Sequence, residues 1–305
     1  MQKSNKTLKQ KLRSRQGQQM ITSVLFLAIP LVLLVMLTYV PFVEMVRYSF
    51  HKWNGFGEMK FIGLQNYKEI FTRPEYFTVL KTSLYYLVGS FVQIGLALIF
   101  AYILNGKVKC GNFFKGTLFF PYLINGVAVG FIFLYFYQRG GALDTLLTGI
   151  GIPAEVLPYW LKDTAIINIS LAAVSIWRYL GQNMVMFSGA MQSIGGDLYE
   201  AAALDGANKW QQFRYIVLPN IKTVVSINMI LAVKGAISVF EIPYIMTDGG
   251  NGSATFVTKT LEVAFTSRKI GLASAMGVLL LAMILVITYI QKRFFEGGND
   301  EYGRA

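Results

Sequence analysis

The chain has 305 residues, of which 54% are hydrophobic and 14% are charged, and its formal net charge is +12. A soluble domain carries about 25% charged residues, so the composition argues against globular domains and favours a polytopic membrane protein. So apolar a chain has little surface for nucleic acid, and basic loops facing the cytoplasm explain the charge better. The single cysteine (Cys110) excludes an internal disulfide, and with one histidine (His51) we expect no His/Cys metal site.

Six segments are long and apolar enough to cross a membrane as helices. A spanning helix needs about 20 mostly apolar residues, because a rise of about 1.5 Å per residue must cover roughly 30 Å of hydrocarbon. The fourth segment contains Arg178, the fifth contains Lys234 and Glu241, and the other four have no charged residue. We therefore expect an all-α membrane protein with six transmembrane helices, at about residues 21–42, 82–104, 117–137, 165–190, 224–246 and 271–290.

The basic residues set the expected orientation. Residues 1–20 contain six Lys or Arg and no acid, so we expect this segment to stay in the cytoplasm by the positive-inside rule. The apolar stretch that follows is too long for a signal peptide. Six spans then return the tail, residues 292–305, to the cytoplasm and leave residues 21–291 as the membrane domain. The first outer loop, residues 44–81, departs from the rule because it contains several basic residues.

With this topology, residues 192–222 lie in the cytoplasm between the fourth and fifth spans. Asp197 is expected to cap a helix, with Glu200 at the capping-box position three residues later. The alanines at 201–203 are strong helix formers. Gly206 then supplies the left-handed residue that ends a helix.

A second short helix is expected after this glycine. Trp210, Phe213 and Val217 recur at helical spacing and predict one aromatic, exposed face. Leu218-Pro219 is expected to end the helix, because the residue before a proline avoids the helical conformation. The segment as a whole therefore predicts a helix, a glycine turn and a second helix.

This segment contains seven residues at fixed spacing: Glu200-Ala201-Ala202, three residues, Gly206, nine residues, Ile216, one residue, and Leu218-Pro219. They resemble the EAA loop of binding-protein-dependent ABC importer permeases. In that family the loop forms a coupling helix that sits in a cleft on a separate ATP-hydrolysing subunit. The resemblance implies the type I ABC importer fold and a bacterial cytoplasmic membrane. It also implies that contact with the ATPase is made by Glu200, Ala201, Ala202, Asp205, Gly206, Ile216, Leu218 and Pro219.

Longer stretches, at residues 61–67, 197–207 and 247–255, are similar to the carbohydrate branch of this family. They resemble the maltose-transporter F-type permease, without its two extra N-terminal spans and extracytoplasmic domain. The resemblance implies an oligosaccharide substrate, a second permease subunit in a heterodimer, two ATP-binding-cassette ATPase subunits and an extracellular solute-binding protein. The chain contains no phosphate-binding loop of the G-x-x-x-x-G-K-[ST] type, so ATP and Mg are expected on the partner ATPase and no cofactor on this chain.

Polar residues inside the expected spans mark a candidate path for the sugar. Arg178 and Gln182 are four residues apart and share a helix face, and polar residues recur on the fifth span. Tyrosine offers a sugar both a hydroxyl group and a flat apolar surface. The candidates are Asn125, Ser175, Arg178, Tyr179, Gln182, Lys234, Gly235, Ser238, Glu241 and Tyr244. Resemblance to sugar permeases points to Ser175, Tyr179 and Gln182 among them.

Two alternatives remain open for the charged residues of this path. Arg178 and Glu241 form a purely structural ion pair, or Arg178 and Lys234 bind an acidic sugar or sugar phosphate instead of the neutral oligosaccharide that we expect by default. Buried Gln and Ser also join helices without touching a substrate. On the sixth span, Gly271 and Ala275 form a small-xxx-small pair that indicates close helix packing.

Three other functions are weighed against the importer. A single-chain secondary transporter would show internal repeats and broken helices, and no repeat is visible. A membrane enzyme would need converging acid, base or nucleophile side chains, and the sequence offers none, so we expect no enzymatic activity. A scaffold protein would not explain the polar residues inside the fourth and fifth spans.

Overall fold

The computed structural model describes residues 15–106 and 108–296. Most of the basic segment 1–20 and of the tail 292–305 lies outside the described residues. The first half of the described chain contains α1 (Arg15–Leu34), a π-helical turn (Val35–Tyr39), α2 (Val40–Ser49), β1 (His51–Lys52), β2 (Lys60–Phe61), α3 (Gln65–Thr72), α4 (Pro74–Thr78), α5 (Leu80–Asn105), α6 (Gly111–Leu123), α7 (Gly126–Phe136) and α8 (Ala142–Gly149).

The second half is helical throughout its regular elements. It contains a 3-10 turn (Ala154–Val156), α9 (Ile167–Gln192), α10 (Gly196–Leu204), α11 (Lys209–Gln212), a π-helical turn (Phe213–Val217), α12 (Leu218–Asn220), α13 (Lys222–Ile237), α14 (Glu241–Thr247), α15 (Phe256–Leu261), a π-helical turn (Glu262–Thr266) and α16 (Ile270–Glu296). The expected all-α membrane fold is confirmed.

Four helical stretches of the described chain are long and apolar enough to cross a membrane. They are Thr22–Ser49, Pro74–Asn105, Lys222–Thr247 and Ile270–Phe295. The pair α6 and α7 makes a fifth candidate, although the two helices are bent by 97°. The fourth expected span corresponds to α9, which has 26 residues but is too polar to qualify by composition. The count of six spans therefore stays a prediction.

The third expected span is interrupted, so the prediction of one continuous helix at residues 117–137 is wrong. α6 ends at Leu123, and the backbone of Ile124 is extended. Asn125 then caps α7, because its Oδ1 accepts a hydrogen bond from the Val127 N–H at 2.9 Å. Pro121, inside α6, removes one helical N–H just before the break.

The fifth expected span is interrupted as well. α13 ends at Ile237 and α14 begins at Glu241, so three residues between them are not helical. Both the backbone N–H and the hydroxyl of Ser238 donate to the Lys234 carbonyl, at 3.1 and 2.8 Å. These bonds satisfy a carbonyl that the ending helix would otherwise leave unpaired.

α9 lies at the centre of the bundle, between α5 and α6. Gly181 allows the closest approach, since a Cβ atom there would overlap the Leu118 carbonyl of α6. On the other side, Gly89 of α5 lies against Ala172. The buried residues of α9 include Leu171, Val174, Met184 and Phe187. A helix enclosed by other helices can carry polar residues that a lipid-facing helix cannot.

α16 packs along α2 and also supports the β-hairpin. Gly277 faces the Met45 sulfur, and Ala275 and Met276 are fully buried. Gly271 lies against the hairpin, because a Cβ atom there would overlap the His51 carbonyl. The small residue at 271 therefore accommodates β1 as well as the end of α2, where the sequence pattern indicated helix packing alone.

Candidate functional site

A cavity of about 540 Å³ opens beside α9, between α5, α13 and α14. Seven of the ten candidate path residues line it: Ser175, Arg178, Tyr179, Gln182, Gly235, Ser238 and Glu241. Gly235, Ser238 and Glu241 were expected along one helix, but the break after Ile237 divides them between two elements. They nevertheless reach the same cavity.

Three candidates lie outside the cavity lining. Asn125 caps α7. Lys234 is exposed, and its carbonyl accepts the two bonds from Ser238. Tyr244 is exposed and stacks on Phe240, with ring centroids 4.9 Å apart. Asn125 and Tyr244 therefore have side-chain roles in the local structure, whereas Lys234 contributes its backbone carbonyl.

An ion pair crosses from α9 to α14 at the edge of the cavity. Arg178 Nη1 donates to Glu241 Oε2 at 2.7 Å. The Arg178 side chain is 11% exposed and the Glu241 side chain 49% exposed. Gly126, at the start of α7, makes room for both groups, because a Cβ atom there would overlap the Glu241 carboxylate. The pair therefore links α9, α14 and the first turn of α7.

The arginine has further contacts on its own helix. Its guanidinium carbon lies 5.2 Å from the centroid of the Tyr179 ring, a cation–π contact. Arg178 Nε is buried and has no hydrogen-bond partner in the described chain. A buried donor without a partner is costly, so the Arg178–Glu241 pair carries a local energetic penalty.

Sequence analysis missed part of the cavity wall. The missed residues are polar or aromatic members of apolar elements: Tyr86, Ser90, Gln93, Tyr122, Asn228 and Phe240. The Tyr122 and Tyr179 rings lie 6.0 Å apart and form one aromatic side of the cavity. The sequence signal that could have found them is an amide side chain in the middle of an apolar span, such as Gln93 in α5.

At the other end of the bundle, the loop with the spaced motif forms the expected helix, glycine turn and second helix. α10 starts at Gly196, and Gly195 occupies the capping position without a side-chain bond. The expected cap by Asp197 is therefore wrong, and Asp197 lies in the first turn, where its charge favours the helix dipole. Glu200, Ala201 and Asp205 are exposed.

Gly206 ends α10 as expected. Its φ is +80°, and its N–H donates to the Ala203 carbonyl at 3.1 Å. The Ala207 N–H donates to the Ala202 carbonyl at 2.9 Å, which completes the closing pattern of a left-handed helix end. The glycine turn thus sets the angle between α10 and α11.

The second helix extends further than predicted, and its aromatic face is less exposed than predicted. Asn208 and Gln211 form a capping box at its start, and the helical course continues past Pro219 to Asn220. Pro219 lies in the first turn of α12, where its missing N–H costs little. The aromatic face is also not exposed: Phe213 and Val217 are buried, and Trp210 alone of the three is exposed, at 69%.

Two sets of contacts hold this loop against the bundle. The Tyr102 hydroxyl of α5 donates to the Lys209 carbonyl at 2.7 Å, and the Phe213 ring lies 4.9 Å from that of Tyr102. Partial burial raises the pKa of the Tyr199 hydroxyl on α10. These contacts connect the loop directly to α5.

A partly buried polar cluster lies beside these contacts. Asn105 Oδ1 accepts from Lys115 Nζ, Ser188 Oγ and Gln192 Nε2, at 2.8, 2.6 and 3.2 Å. It joins the ends of α5, α6 and α9. Among the described residues, no three His, Cys, Asp or Glu side chains are close enough to hold a metal ion.

Comparison with known proteins identifies the family. Residues 93–297 match the model of the "Binding-protein-dependent transport system inner membrane component" family. The chain is 35% identical over 292 residues to the probable ABC transporter permease protein YurN of Bacillus subtilis (strain 168), which covers 93% of this chain and 99% of the relative.

A second relative is the multiple sugar-binding transport system permease protein MsmF of Streptococcus mutans serotype c, 30% identical over 273 residues, or 87% of this chain and 92% of the relative. The fold is similar to a crystal structure of a bacterial ABC transporter involved in the import of the acidic polysaccharide alginate, with a TM-score of 0.80, 18% identity, and coverage of 93% of this chain and 99% of that one. The chain therefore belongs to the family of inner membrane components of binding-protein-dependent transport systems, as a multi-pass permease and not an enzyme.

Proposed function

We propose that this permease forms half of the translocation path of an ATP-driven importer for neutral oligosaccharides. The observation that carries the proposal is the cavity beside α9, whose wall combines hydroxyl and amide groups with the Tyr122 and Tyr179 rings. Hydroxyl and amide groups pair with sugar hydroxyls, and rings cover the apolar faces of a sugar. Relatives named for multiple sugars, starch degradation products and diacetylchitobiose support this substrate class.

The charge balance of the cavity supports a neutral sugar. The positive charge of Arg178 is compensated by Glu241 at 2.7 Å, and Lys234 does not line the cavity. An acidic sugar would have to compete with Glu241 for the same guanidinium. We therefore favour neutral oligosaccharides over the alternative in which Arg178 and Lys234 bind an acidic sugar or sugar phosphate.

Coupling to ATP hydrolysis is proposed for α10 and the turn after it. Glu200 offers an exposed carboxylate to a basic residue of the ATPase, and Ala201 permits close approach of the two backbones. Asp205, Gly206, Ile216, Leu218 and Pro219 complete the proposed contact region with Ala202. Since α11 is hydrogen-bonded to Tyr102, a movement of the ATPase would shift α5, which lines the cavity.

The proposed assembly contains a second permease subunit, two ATP-binding-cassette ATPase subunits and an extracellular solute-binding protein. ATP and Mg would bind the ATPase subunits, and this chain would bind neither. We place α10 and both termini in the cytoplasm. The solute-binding protein in this proposal is supported by a solved transporter of similar fold, which was crystallised with a periplasmic protein that carries an alginate pentasaccharide.

Purification of the tagged chain in mild detergent from its host tests the assembly. We expect a second permease and an ATPase to copurify, and both Glu200→Lys and Gly206→Pro to release the ATPase while the second permease remains. Arg214→Gln, an exposed change on the neighbouring helix, is the control and should retain all subunits.

One alternative is favoured by a specific observation. Broken helices at the level of a binding cavity are typical of secondary transporters, and α6–α7 and α13–α14 are both broken. A chain that purifies alone and carries solute into liposomes without ATP would establish the secondary transporter and exclude the importer.

A further inference from the structure

The β-hairpin after α2 places two positive charges side by side. Lys52 and Lys60 are direct cross-strand partners, and both side chains are exposed. Cross-strand partners lie about 4.5–5.5 Å apart at Cβ, and like charges in this position destabilise a sheet. Glu58 is the one acid of the hairpin, residues 51–61, and makes no ion pair among the described residues.

A third unbalanced cation lies where the hairpin meets α16. The Gly271 N–H donates to the Trp53 carbonyl at 3.1 Å, which fixes the hairpin to the start of α16. Arg268 and Lys269 directly precede this helix, and its first turn contains no acid. Positive charge at a helix N-terminus opposes the helix dipole. Lys269 reaches Glu69 at 3.5 Å, whereas Arg268 has no ion pair in the described chain.

Exposed aromatic side chains accompany these cations on the same two segments. Phe56 and Phe61 of the hairpin are 79% and 69% exposed, and Phe265 before Arg268 is 74% exposed. Two apolar helical stretches that are long enough to span have one end here: Thr22–Ser49 ends at Ser49, and α16 begins at Ile270. This is the level at which a spanning helix meets the lipid headgroups.

We propose that this hairpin patch (Lys52, Lys60 and Arg268 with Phe56, Phe61 and Phe265) binds the phosphate of anionic phospholipid headgroups. The cations meet the phosphates, and the phenylalanine side chains enter the upper acyl layer. An anion between Lys52 and Lys60 removes their repulsion, and a second near Arg268 removes its conflict with the helix dipole. Only the choice of membrane leaflet rests on the proposed function: in the proposed orientation, the patch meets the outer leaflet.

The lipid is favoured over an acidic protein because of where the patch lies. A soluble protein would cover the cations but would leave exposed phenylalanines at the level of the headgroups, where a membrane covers them directly. Lipid binding by the patch accounts for two of the basic residues by which the first outer loop, residues 44–81, departs from the positive-inside rule, namely Lys52 and Lys60.

Native mass spectrometry of the purified complex with added phosphatidylglycerol tests the proposal. We expect the variant with Lys52→Gln, Lys60→Gln and Arg268→Gln to lose at least about tenfold in retained phosphatidylglycerol, because each basic residue near an anionic surface adds a several-fold factor. Phosphatidylcholine retention should not change. The matched control, Lys68→Gln with Lys162→Gln, alters two exposed lysines elsewhere and should retain phosphatidylglycerol as the wild type does.

Equal retention of phosphatidylglycerol by the triple variant and the wild type would overturn the proposal. If that result came with weaker docking of the solute-binding protein, the patch would be a protein interface. The measurement uses neither ATP nor sugar, so its outcome is independent of whether the transport proposal holds. Unchanged thermal unfolding of the triple variant verifies that the complex remains folded.

Discussion

Arg178 and Glu241 make the shortest link between the central helix and the broken fifth span. Their burial is unequal, since the arginine is 11% exposed and the glutamate 49% exposed. Removing the glutamate leaves a nearly buried charge unpaired, whereas removing the arginine leaves a carboxylate that water can reach. The two single changes should therefore have different costs.

We expect Glu241→Gln to destabilise the complex more than Arg178→Gln does, by about 1–3 kcal/mol. The double variant should recover part of the loss, because it leaves no unpaired charge. Thermal unfolding of the three purified variants measures this. Equal losses, or a double variant that is the sum of the singles, would show that the pair does not act as a unit.

Gly126 should be intolerant of any side chain. Gly126→Ala would push its Cβ into the Glu241 carboxylate and break the ion pair, so we expect a loss of transport of about tenfold or more. Gly116→Ala is the control, since a Cβ atom at 116, in α6, meets nothing within 4 Å. Uptake of radiolabelled sugar in cells that carry either variant distinguishes them, and equal uptake would contradict the assignment.

At the scale of elements, Gly206 sets the angle between α10 and α11 by its φ of +80°. A Cβ atom there meets nothing within 4 Å, so the cost of substitution is conformational, about 1–2 kcal/mol for a left-handed residue. We expect Gly206→Asn to keep most transport-coupled ATPase activity and Gly206→Val to lose it, because asparagine tolerates this conformation. Equal activity in both would show that the turn angle does not matter for coupling.

The loop between α7 and α9 depends on Asp144. Its carboxylate accepts from Trp160 Nε1 and from the Gly140 N–H, both at 2.8 Å, and these bonds lower the pKa of Asp144 below its usual value. A lowered pKa means that the stabilisation is complete above the unfolded pKa of about 3.9 and is lost as the pH falls through the lower folded pKa.

Thermal unfolding of the wild type should therefore show no contribution from Asp144 to pH dependence between pH 5 and pH 7, a range that lies above that unfolded pKa. Asp144→Ala should cost about 1.5–3 kcal/mol across the same range, as expected for hydrogen bonds to a charged group. Trp160→Phe, which removes one of the two bonds, should cost less. A stability difference between wild type and Asp144→Ala that grows from pH 5 to pH 7 would contradict this role.

Sequence patterns predicted the helices well where one physical effect dominates. The apolar runs of α5 and α16 reveal spans, and Gly206 reveals a helix end because only glycine adopts its conformation without cost. The breaks at Asn125 and Ser238 were missed because the helices on both sides of each break are apolar. Hydropathy therefore shows one continuous apolar run and gives no sign that the helix axis changes direction. The burial of Phe213 was missed because it depends on Tyr102, 111 residues away in sequence.

At the scale of the whole molecule, α5 connects the cavity to the segment that contains α10 and α11. α5 lines the cavity with Tyr86 and Gln93, and its end holds α11 through Tyr102. The cluster around Asn105 ties the same end to α6 and α9. A displacement of the loop would therefore reach helices that form the cavity wall, as the proposed coupling between an ATPase and a solute path requires.

Uptake of sugar into liposomes that contain the purified assembly tests this account most directly. We expect accumulation that requires ATP inside and the solute-binding protein outside, and that is lost with Gly206→Val while subunit composition is unchanged. Accumulation that an ion gradient drives without ATP, and that Gly206→Val leaves intact, would contradict the account.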